Sequence, residues 1–317
     1  MKLRLWNLKS LAVALSAAVA IGMAMPASAA VILVNDTWKD GTDSDPASPQ
    51  FSEYGADADA DGDLESAWFQ GGGGTLDPAA AGGPLAMTLG ASGSSSWTSY
   101  FTPEGSEVNL VNPGDQLKVT WIFTPTGVNA ANTSQNFRLA LVDTPGAARL
   151  AANGAPGSAA YSGYGMFMNM AQTLGNSNPF RLMERSGASG ALLSASGDWA
   201  ALGNGATTGN TGYASDTEYT FVMTITRNAT NGLDLDAKMS GGSLDNDGVA
   251  QVTLTDATPN NGSFKFDTFS LRPSDAATTA TVFNTRLFKV EAPVPEPATL
   301  TLLGLVALGL AGLRRRG

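Results

Sequence analysis

Short runs in which apolar and polar residues alternate recur from Val31 onward, separated by clusters of Gly, Asn, Asp, Ser and Pro. In the clearest run, Gln116 to Thr124, the apolar residues occupy every second position: Leu117, Val119, Trp121 and Phe123. This period predicts strands with one buried face, and no helical period competes with it. About a dozen such runs are more than one twisted sheet commonly holds, so the pattern predicts an all-β jelly-roll sandwich of two packed sheets.

Two further patterns refine the predicted sandwich. Met166, Met168 and Met170 alternate in the same way, and a methionine stripe of this period is more typical of core filling than of a binding surface. Asn231 and Gly232 lie between two long alternating runs, which strongly indicates a β-hairpin. Trp121 shares its face with apolar residues, and we therefore expect it in the core.

The first 29 residues have the three parts of a secretory signal peptide. Its positive charges are Lys2, Arg4 and Lys9. An apolar stretch follows from Leu11 to Met25, and small residues occupy Ala27 and Ala29. This pattern predicts export with cleavage after Ala29, and cleavage after Ala30 is the near alternative.

The last 24 residues combine a proline motif, an apolar run and a basic end. The motif is Val294, Pro295, Glu296 and Pro297, the run extends from Ala298 to Leu313, and the end is Arg314, Arg315 and Arg316. A helix over the run would be roughly 24 Å long, so it could span a bilayer core of about 30 Å only with local thinning. Because transfer of the arginines across the bilayer is unfavourable, they stay in the cytoplasm, and everything before Pro295 lies on the opposite side of the membrane.

This combination resembles the PEP-CTERM sorting signal of Gram-negative bacteria, which peptidases of the exosortase family recognise. The resemblance implies a signal peptide (1–29), an exported body (30–293) and a sorting signal (294–317). It also implies the secretion machinery and an exosortase-like peptidase as partners, with transient insertion in the inner membrane while the body is in the periplasm. The expected final location is the cell surface or extracellular matrix. A permanent C-terminal anchor is the alternative, and a mature protein of that kind would retain its arginines.

Charge and missing residue types exclude several functions. Without the terminal segments, residues 30–293 contain 12 basic and 27 acidic residues, a net charge of about −15. This charge argues against nucleic acid or anionic lipid as a partner. The chain has no cysteine and no histidine. Disulfides, thiol chemistry, a Ser-His-Asp triad and a histidine-ligated zinc are therefore excluded.

Three late segments resemble the back half of concanavalin A-like lectin or laminin G-like domains. They are Tyr219 to Met239, Phe266 to Pro273 and Thr285 to Val290. The resemblance lies in the order of the strands and in their residue pattern, and no diagnostic sequence motif accompanies it. It implies a lectin-like sandwich over residues 30–293 and contact with an extracellular polysaccharide.

One acidic run has a metal-binding pattern: Asp57, Asp59, Asp61, Asp63 and Glu65. The alternating carboxylates with Gly62 at the sixth position match the first half of a calcium loop. The match is partial because the twelfth position is Trp68 rather than an acid. Three interpretations stand. They are a calcium site within the run, a site completed by distant residues such as Asp36 or Asp267, and a solvated loop held open by charge repulsion.

Sugar binding requires exposed aromatic rings beside polar groups, because the apolar face of a sugar ring stacks on an aromatic ring. The candidates in or near predicted turns are Trp38, Trp97, Tyr100 and Trp199. The alternative is that these rings close the ends of the sandwich.

Catalysis would have to rely on carboxylates, hydroxyls, lysine or tyrosine. Lectin-like glycosidases use the spacing E-x-D-x-x-E on one strand, and this spacing does not occur here. Glu184 lies between Arg181 and Arg185, which predicts an ion pair. We therefore expect a non-enzymatic adhesion or biofilm protein without catalytic residues. The alternative is a glycosidase or lyase on the same scaffold, and a glycosidase would need two carboxylates about 5 to 9 Å apart.

Overall fold

The computed structural model describes residues 30–79, 81–187, 190–205, 208–260 and 264–293 of the 317-residue chain. The first strands are β1 (Ala30–Asp36), β2 (Trp68–Gly72), β3 (Thr75–Pro78), β4 (Leu85–Thr88), β5 (Ser95–Tyr100), β6 (Val108–Asn109) and β7 (Gln116–Thr126). Next come β8 (Ala131–Asn132), β9 (Phe137–Asp143), β10 (Ser162–Met168), β11 (Thr173–Leu174), β12 (Phe180–Arg185) and β13 (Trp199–Asn204). The last are β14 (Tyr219–Arg227), β15 (Leu233–Ser240), β16 (Val249–Asp256), β17 (Lys265–Phe266), β18 (Thr268–Pro273) and β19 (Val282–Pro293).

Helical structure in these ranges consists of short 3-10 turns at Gly146–Ala148, Ser196–Asp198 and Leu244–Asn246. Within the described ranges, no helix has the length and apolar character that a membrane crossing requires. The predicted signal peptide (1–29) and the predicted C-terminal helix (298–313) lie outside the described residues.

Two antiparallel sheets form the body. In the described part of the chain, one sheet has eight strands in the order β16-β15-β14-β7-β19-β4-β3, with β1 also paired to β19. The other has seven strands in the order β13-β12-β10-β9-β18-β5-β2. Short pairs, β8 with β11 and β6 with β17, accompany them. The apolar faces of the two sheets pack together in one continuous core, so the predicted all-β sandwich is confirmed.

Strand β19 connects the parts of the eight-stranded sheet. Along one side it pairs with β7, and along the other it pairs with β4 in its first half and with β1 in its second half. In the pairing with β1, Ala30 lies opposite Pro293. The two ends of the described body therefore meet at one edge of the sandwich.

An aromatic cluster around Trp121 fills the core. The Trp121 ring stacks on Phe123 with 3.9 Å between ring centroids, and it contacts Phe137 and Phe269 of the opposite sheet. Trp121 Nε1 donates a hydrogen bond to Thr285 Oγ1 at 3.1 Å, so its one polar atom is satisfied inside the core. The alternation between 116 and 124 thus places its apolar residues in the core, as predicted.

The strand predicted from Gln116 to Thr124 is present as β7 and extends two residues further, to Thr126. The methionine stripe is fully buried, and a hairpin joins β14 and β15 across Asn231 and Gly232. Trp199, predicted to lie in or near a turn, directly follows the 3-10 turn Ser196–Asp198 and begins β13 at the edge of the seven-stranded sheet. The segment 200–204 has no apolar alternation, and its pairing with β12 makes it a strand.

Trp121→Ala should lower the free energy of unfolding by about 3 to 5 kcal/mol, because it leaves a large cavity between the sheets. Thr120→Ala, on the opposite face of the same strand, should lower the free energy of unfolding by less than about 1 kcal/mol. Denaturant unfolding of the two variants compares these costs. Equal losses would mean that Trp121 does not pack as described.

Candidate functional site

The acidic loop, as it is called here, comprises residues 36–65, from the last residue of β1 through most of the connection to β2. Its carboxylates bind its own backbone. Asp63 Oδ2 accepts hydrogen bonds from the Thr37 amide and the Thr37 hydroxyl, both at 2.8 Å, and Asp57 Oδ2 accepts one from the Gly62 amide at 3.1 Å. These contacts fold the loop back on itself and hold several negative charges close together.

Glu65 lies where two groups of carboxylates meet. One group is Asp40, Asp45 and Glu65, and the other is Asp59, Asp61 and Glu65. In each group, one oxygen from each residue lies within 4.8 Å of the others. Glu65 is 4% exposed, and neither its Oε2 nor Asp61 Oδ2 has a hydrogen-bond partner. Convergent carboxylate oxygens with an unsatisfied buried member fit a hard divalent cation such as calcium.

The electrostatics of the acidic loop also favour a cation. Burial, together with repulsion from Asp40 and Asp36, raises the pKa of Glu65 to about 9. Burial also raises the pKa of Asp36 well above its ordinary value, and the nearby Asp63 raises it further. In the metal-free protein, Glu65 therefore keeps a proton near neutral pH, since another negative charge there is unfavourable.

The structure separates the acidic residues that the sequence grouped together. Asp59, Asp61 and Glu65 converge, whereas Asp57 groups with Glu53 and Asp59, and Asp63 binds Thr37. Sequence reasoning missed Asp40 and Asp45, which reach Glu65 from about 20 to 25 positions earlier in the chain. The only available signal was that acidic residues are dense from Asp36 onward.

The two distant residues considered for completing the site have different positions. Asp36 lies close enough to Glu65 to raise its pKa. Asp267 instead forms an almost fully buried ion pair with Arg149 at 2.7 Å. Asp267 also accepts a hydrogen bond from the Thr144 amide, so its oxygens are already used.

The four aromatic candidates for sugar stacking are buried. Trp38, Trp97, Tyr100 and Trp199 are between 0% and 5% exposed, so the expectation of exposed rings is wrong. Trp97 packs edge-on against Phe283 between the sheets. The Tyr100 hydroxyl accepts a hydrogen bond from the Leu150 amide, and Trp199 Nε1 donates one to the Leu192 carbonyl. Contacts within the protein cover these four rings.

The outer face of the seven-stranded sheet carries a groove. Phe167, Met183 and Trp199 form its apolar floor, as part of a cluster separate from the main core. A cavity of about 420 Å³ opens above this floor. Its polar lining residues are Ser134, Gln135, Arg138, Asn176, Arg181 and Ser196. An apolar floor with hydrogen-bonding groups at its rim is the usual chemistry of a saccharide or small-molecule site.

Glu184 does not form the predicted ion pair. It accepts a hydrogen bond from the Asn260 amide and lies near Asp256, which accepts one from the Tyr164 hydroxyl at 2.7 Å. Burial, followed by the contact with Asp256, raises the pKa of Glu184. Arg185 turns away and pairs with Asp198 at 3.4 Å. The prediction is wrong because the two residues point to opposite faces of strand β12.

Residues 293–316 match the family model described as the PEP-CTERM protein-sorting motif. The match confirms the sorting signal predicted at Val294 to Pro297 and the segment after it, and the motif implies an exported, membrane-anchored precursor. These residues lie almost entirely outside the described part of the chain.

A search of the curated proteins finds no match. Among solved structures, the chain is similar to the metal-free carbohydrate recognition domain of Emp46p, with 12% identity over 70% of this chain and 87% of that chain and a TM-score of 0.41. Peanut lectin is 8% identical over 73% and 93% of the two chains, with a TM-score of 0.41. The exoplasmic domain of VIP36, solved with Ca2+ and Man3GlcNAc, is 12% identical over 73% and 85%, with a TM-score of 0.42.

In the metal-free protein, we expect stability to fall as the pH rises from about 5 to about 9. The folded state keeps the proton on Glu65 up to about pH 9, whereas the unfolded chain releases it near the ordinary pKa of 4.5. The folded state therefore binds more protons in this window, and the free energy of unfolding decreases with pH.

Thermal melts with a chelator at several pH values test this expectation. Glu65→Gln resembles the protonated side chain, so the stability of this variant should fall less steeply with pH. Asp77→Asn removes an exposed carboxylate whose charge acts on Asp43 of the loop but is not among the causes that raise the pKa of Glu65, and it should leave most of the decrease in place. A Glu65→Gln profile as steep as that of the unaltered protein would contradict the assignment.

Proposed function

We propose that this protein is exported, held briefly in the inner membrane by its C-terminal segment, and cut near Val294 to Pro297 by an exosortase-type peptidase. The body then acts without catalysis at the cell surface or in the extracellular matrix, where it binds a polysaccharide and contributes to adhesion or biofilm structure. The observation that carries the export and sorting steps is the match of the sorting motif to residues 293–316.

The ends of the described body support processing from one side. Ala30, the first residue after the proposed signal cleavage, pairs with Pro293, the last residue before the motif. Both processing sites therefore leave the sandwich at the same edge. A precursor held at this edge would direct the rest of its body away from the bilayer, and both cuts would leave all strands intact.

Saccharide binding rests on the outer groove of the seven-stranded sheet. Its floor of Phe167, Met183 and Trp199 is apolar, with each side chain 2% to 5% exposed, and amide, hydroxyl and guanidinium groups surround it. These groups suit the alternating apolar and hydroxyl surfaces of a sugar chain. The buried aromatic residues of the main core have no comparable role.

The enzyme alternative finds little support in the same groove. None of the described residues that line its cavity is a carboxylate, so the groove offers no pair at glycosidase separation. The neighbouring carboxyl groups of Glu184 and Asp256 already have protein partners, since Glu184 accepts a hydrogen bond from the Asn260 amide and Asp256 accepts one from the Tyr164 hydroxyl. Their carboxyl groups are better suited to holding the sheets together.

We also propose calcium as the ion of the acidic loop. Glu65 would be its central ligand, with Asp59 and Asp61 or Asp40 and Asp45 as partners. The unpartnered oxygens of Glu65 and Asp61 would gain a partner, and the raised pKa of Glu65 would fall as the ion replaces its proton. The ion would make the loop rigid without taking part in any reaction.

Intact-mass analysis of the protein from its native host tests the processing. We expect a mature chain that begins at Ala30 and lacks Arg314 to Arg316. Replacing Pro295, Glu296 and Pro297 together by alanine should leave the tail attached and the protein in the inner-membrane fraction. Thr301→Val, within the apolar run, serves as the control and should be processed normally. A mature protein that retains the three arginines would instead support a permanent anchor.

Calcium at millimolar concentration should raise the melting temperature by a few degrees at neutral pH, because an ion that binds only the folded state stabilises it. Glu65→Gln should remove most of this shift, whereas Asp77→Asn should preserve it. The absence of any shift in the unaltered protein would rule out the calcium site.

A further inference from the structure

Three arginines lie in one row across the outer face of the seven-stranded sheet. Arg181 of β12 is opposite Phe167 of β10, Phe167 is opposite Arg138 of β9, and Arg138 is opposite Arg272 of β18. Neighbouring strands are about 4.8 Å apart, so the row extends over roughly 14 Å. The guanidinium of Arg138 lies over the Phe167 ring, 4.6 Å from its centroid, which fixes it above the groove floor.

The row is not balanced by acidic residues, although the body carries an excess of them. Within the described residues, none of the three arginines forms an ion pair. By contrast, Arg149 pairs with Asp267, and Arg286 pairs with Glu218. Arg181 Nε is buried without a hydrogen-bond partner. Burial and the neighbouring Arg272 lower the pKa of Arg138, yet a guanidinium remains charged at neutral pH.

Cavities lie beside both ends of the row. Arg138 and Arg181 line the cavity of about 420 Å³ described above. Arg272 lines a second cavity of about 160 Å³, together with Ser94, Ser95 and Ser96. The carbonyl of Leu193, which also borders the second cavity, accepts a hydrogen bond from Arg138 at 2.8 Å. Ser94 is half-buried whereas Ser95 and Ser96 are buried, so the Ser94 hydroxyl and the cations are the accessible groups along the row.

We propose that this row binds the carboxylate groups of an acidic polysaccharide. The inference rests on the proposed polysaccharide binding and specifies the class of polymer. Planar guanidinium groups bind carboxylates in a bidentate manner. A single small anion cannot contact three cations spread over roughly 14 Å, whereas a chain that carries one carboxylate on successive sugars can. At physiological ionic strength, screening over about 8 Å weakens the repulsion between such a chain and more distant acidic residues of the body.

Binding measurements with matched polymers and variants test the proposal. The exported protein, purified after expression of the full chain, is titrated with polygalacturonate and with the same polymer after complete methyl esterification. Dextran serves as a neutral control and single-stranded DNA as a phosphate polyanion. We expect tight binding of polygalacturonate, binding at least tenfold weaker after esterification, and weakening of the interaction by salt.

Arg181→Gln and Arg272→Gln are the informative variants, because neither side chain takes part in an ion pair whose loss would affect folding. Each should weaken polygalacturonate binding about tenfold, since it removes a charge-assisted contact. Arg286→Gln removes the same charge from the eight-stranded sheet and should leave affinity unchanged. Melting temperatures verify that all three variants are folded.

Other outcomes overturn the proposal in distinguishable ways. If the esterified polymer or dextran binds equally well and the row variants match Arg286→Gln, polysaccharide binding stands but the carboxylate assignment is wrong. If DNA binds through the row and polygalacturonate does not, the partner is a phosphate polymer. If none of the polysaccharides binds, the proposed function fails together with this inference.

Discussion

The pairing of strand β19 with three other strands is the constraint on which the rest of the structure depends. β19 contacts β7 along one side and β4 and β1 along the other, so it joins the two parts of the eight-stranded sheet. Phe283 and Phe288 project from it into the core against Trp97 and Trp68 of the other sheet. Because β19 ends at Pro293, the final strand of the body directly precedes the sorting motif. The sandwich therefore cannot close before β19 has been synthesised.

Two regions of the described body each concentrate charge of one sign. Negative charge is concentrated in the acidic loop between β1 and β2, where burial of Glu65 makes a further ionised carboxylate unfavourable. The three unpaired cations lie on the outer face of the seven-stranded sheet, around Phe167. A cation in the first region and an anionic polymer in the second would each relieve local repulsion. The two regions are thus complementary in chemistry rather than parts of one site.

The alternation of apolar and polar residues along the chain was sufficient to predict the sandwich. A strand with one buried face shows this two-residue period within its own sequence. Trp121 and the methionine stripe could be assigned to the core for this reason. The acidic site was predicted only in part, since Asp40 and Asp45 approach Glu65 through the folding of the loop and no regular spacing encodes it. The arginine row was not predictable, because Arg138, Arg181 and Arg272 become neighbours only through the register of four strands. Trp38 and Trp199 were wrongly expected to have exposed rings, because a turn-rich sequence does not reveal which tertiary contacts cover a ring.

A crystal structure of the exported protein with an oligosaccharide of the polymer it binds tests the central claim most directly. The account predicts that the sugar chain lies on the outer face of the seven-stranded sheet, with carboxylates at Arg181, Arg138 and Arg272. A sugar bound at the acidic loop or on the eight-stranded sheet, with the row left free, would contradict it.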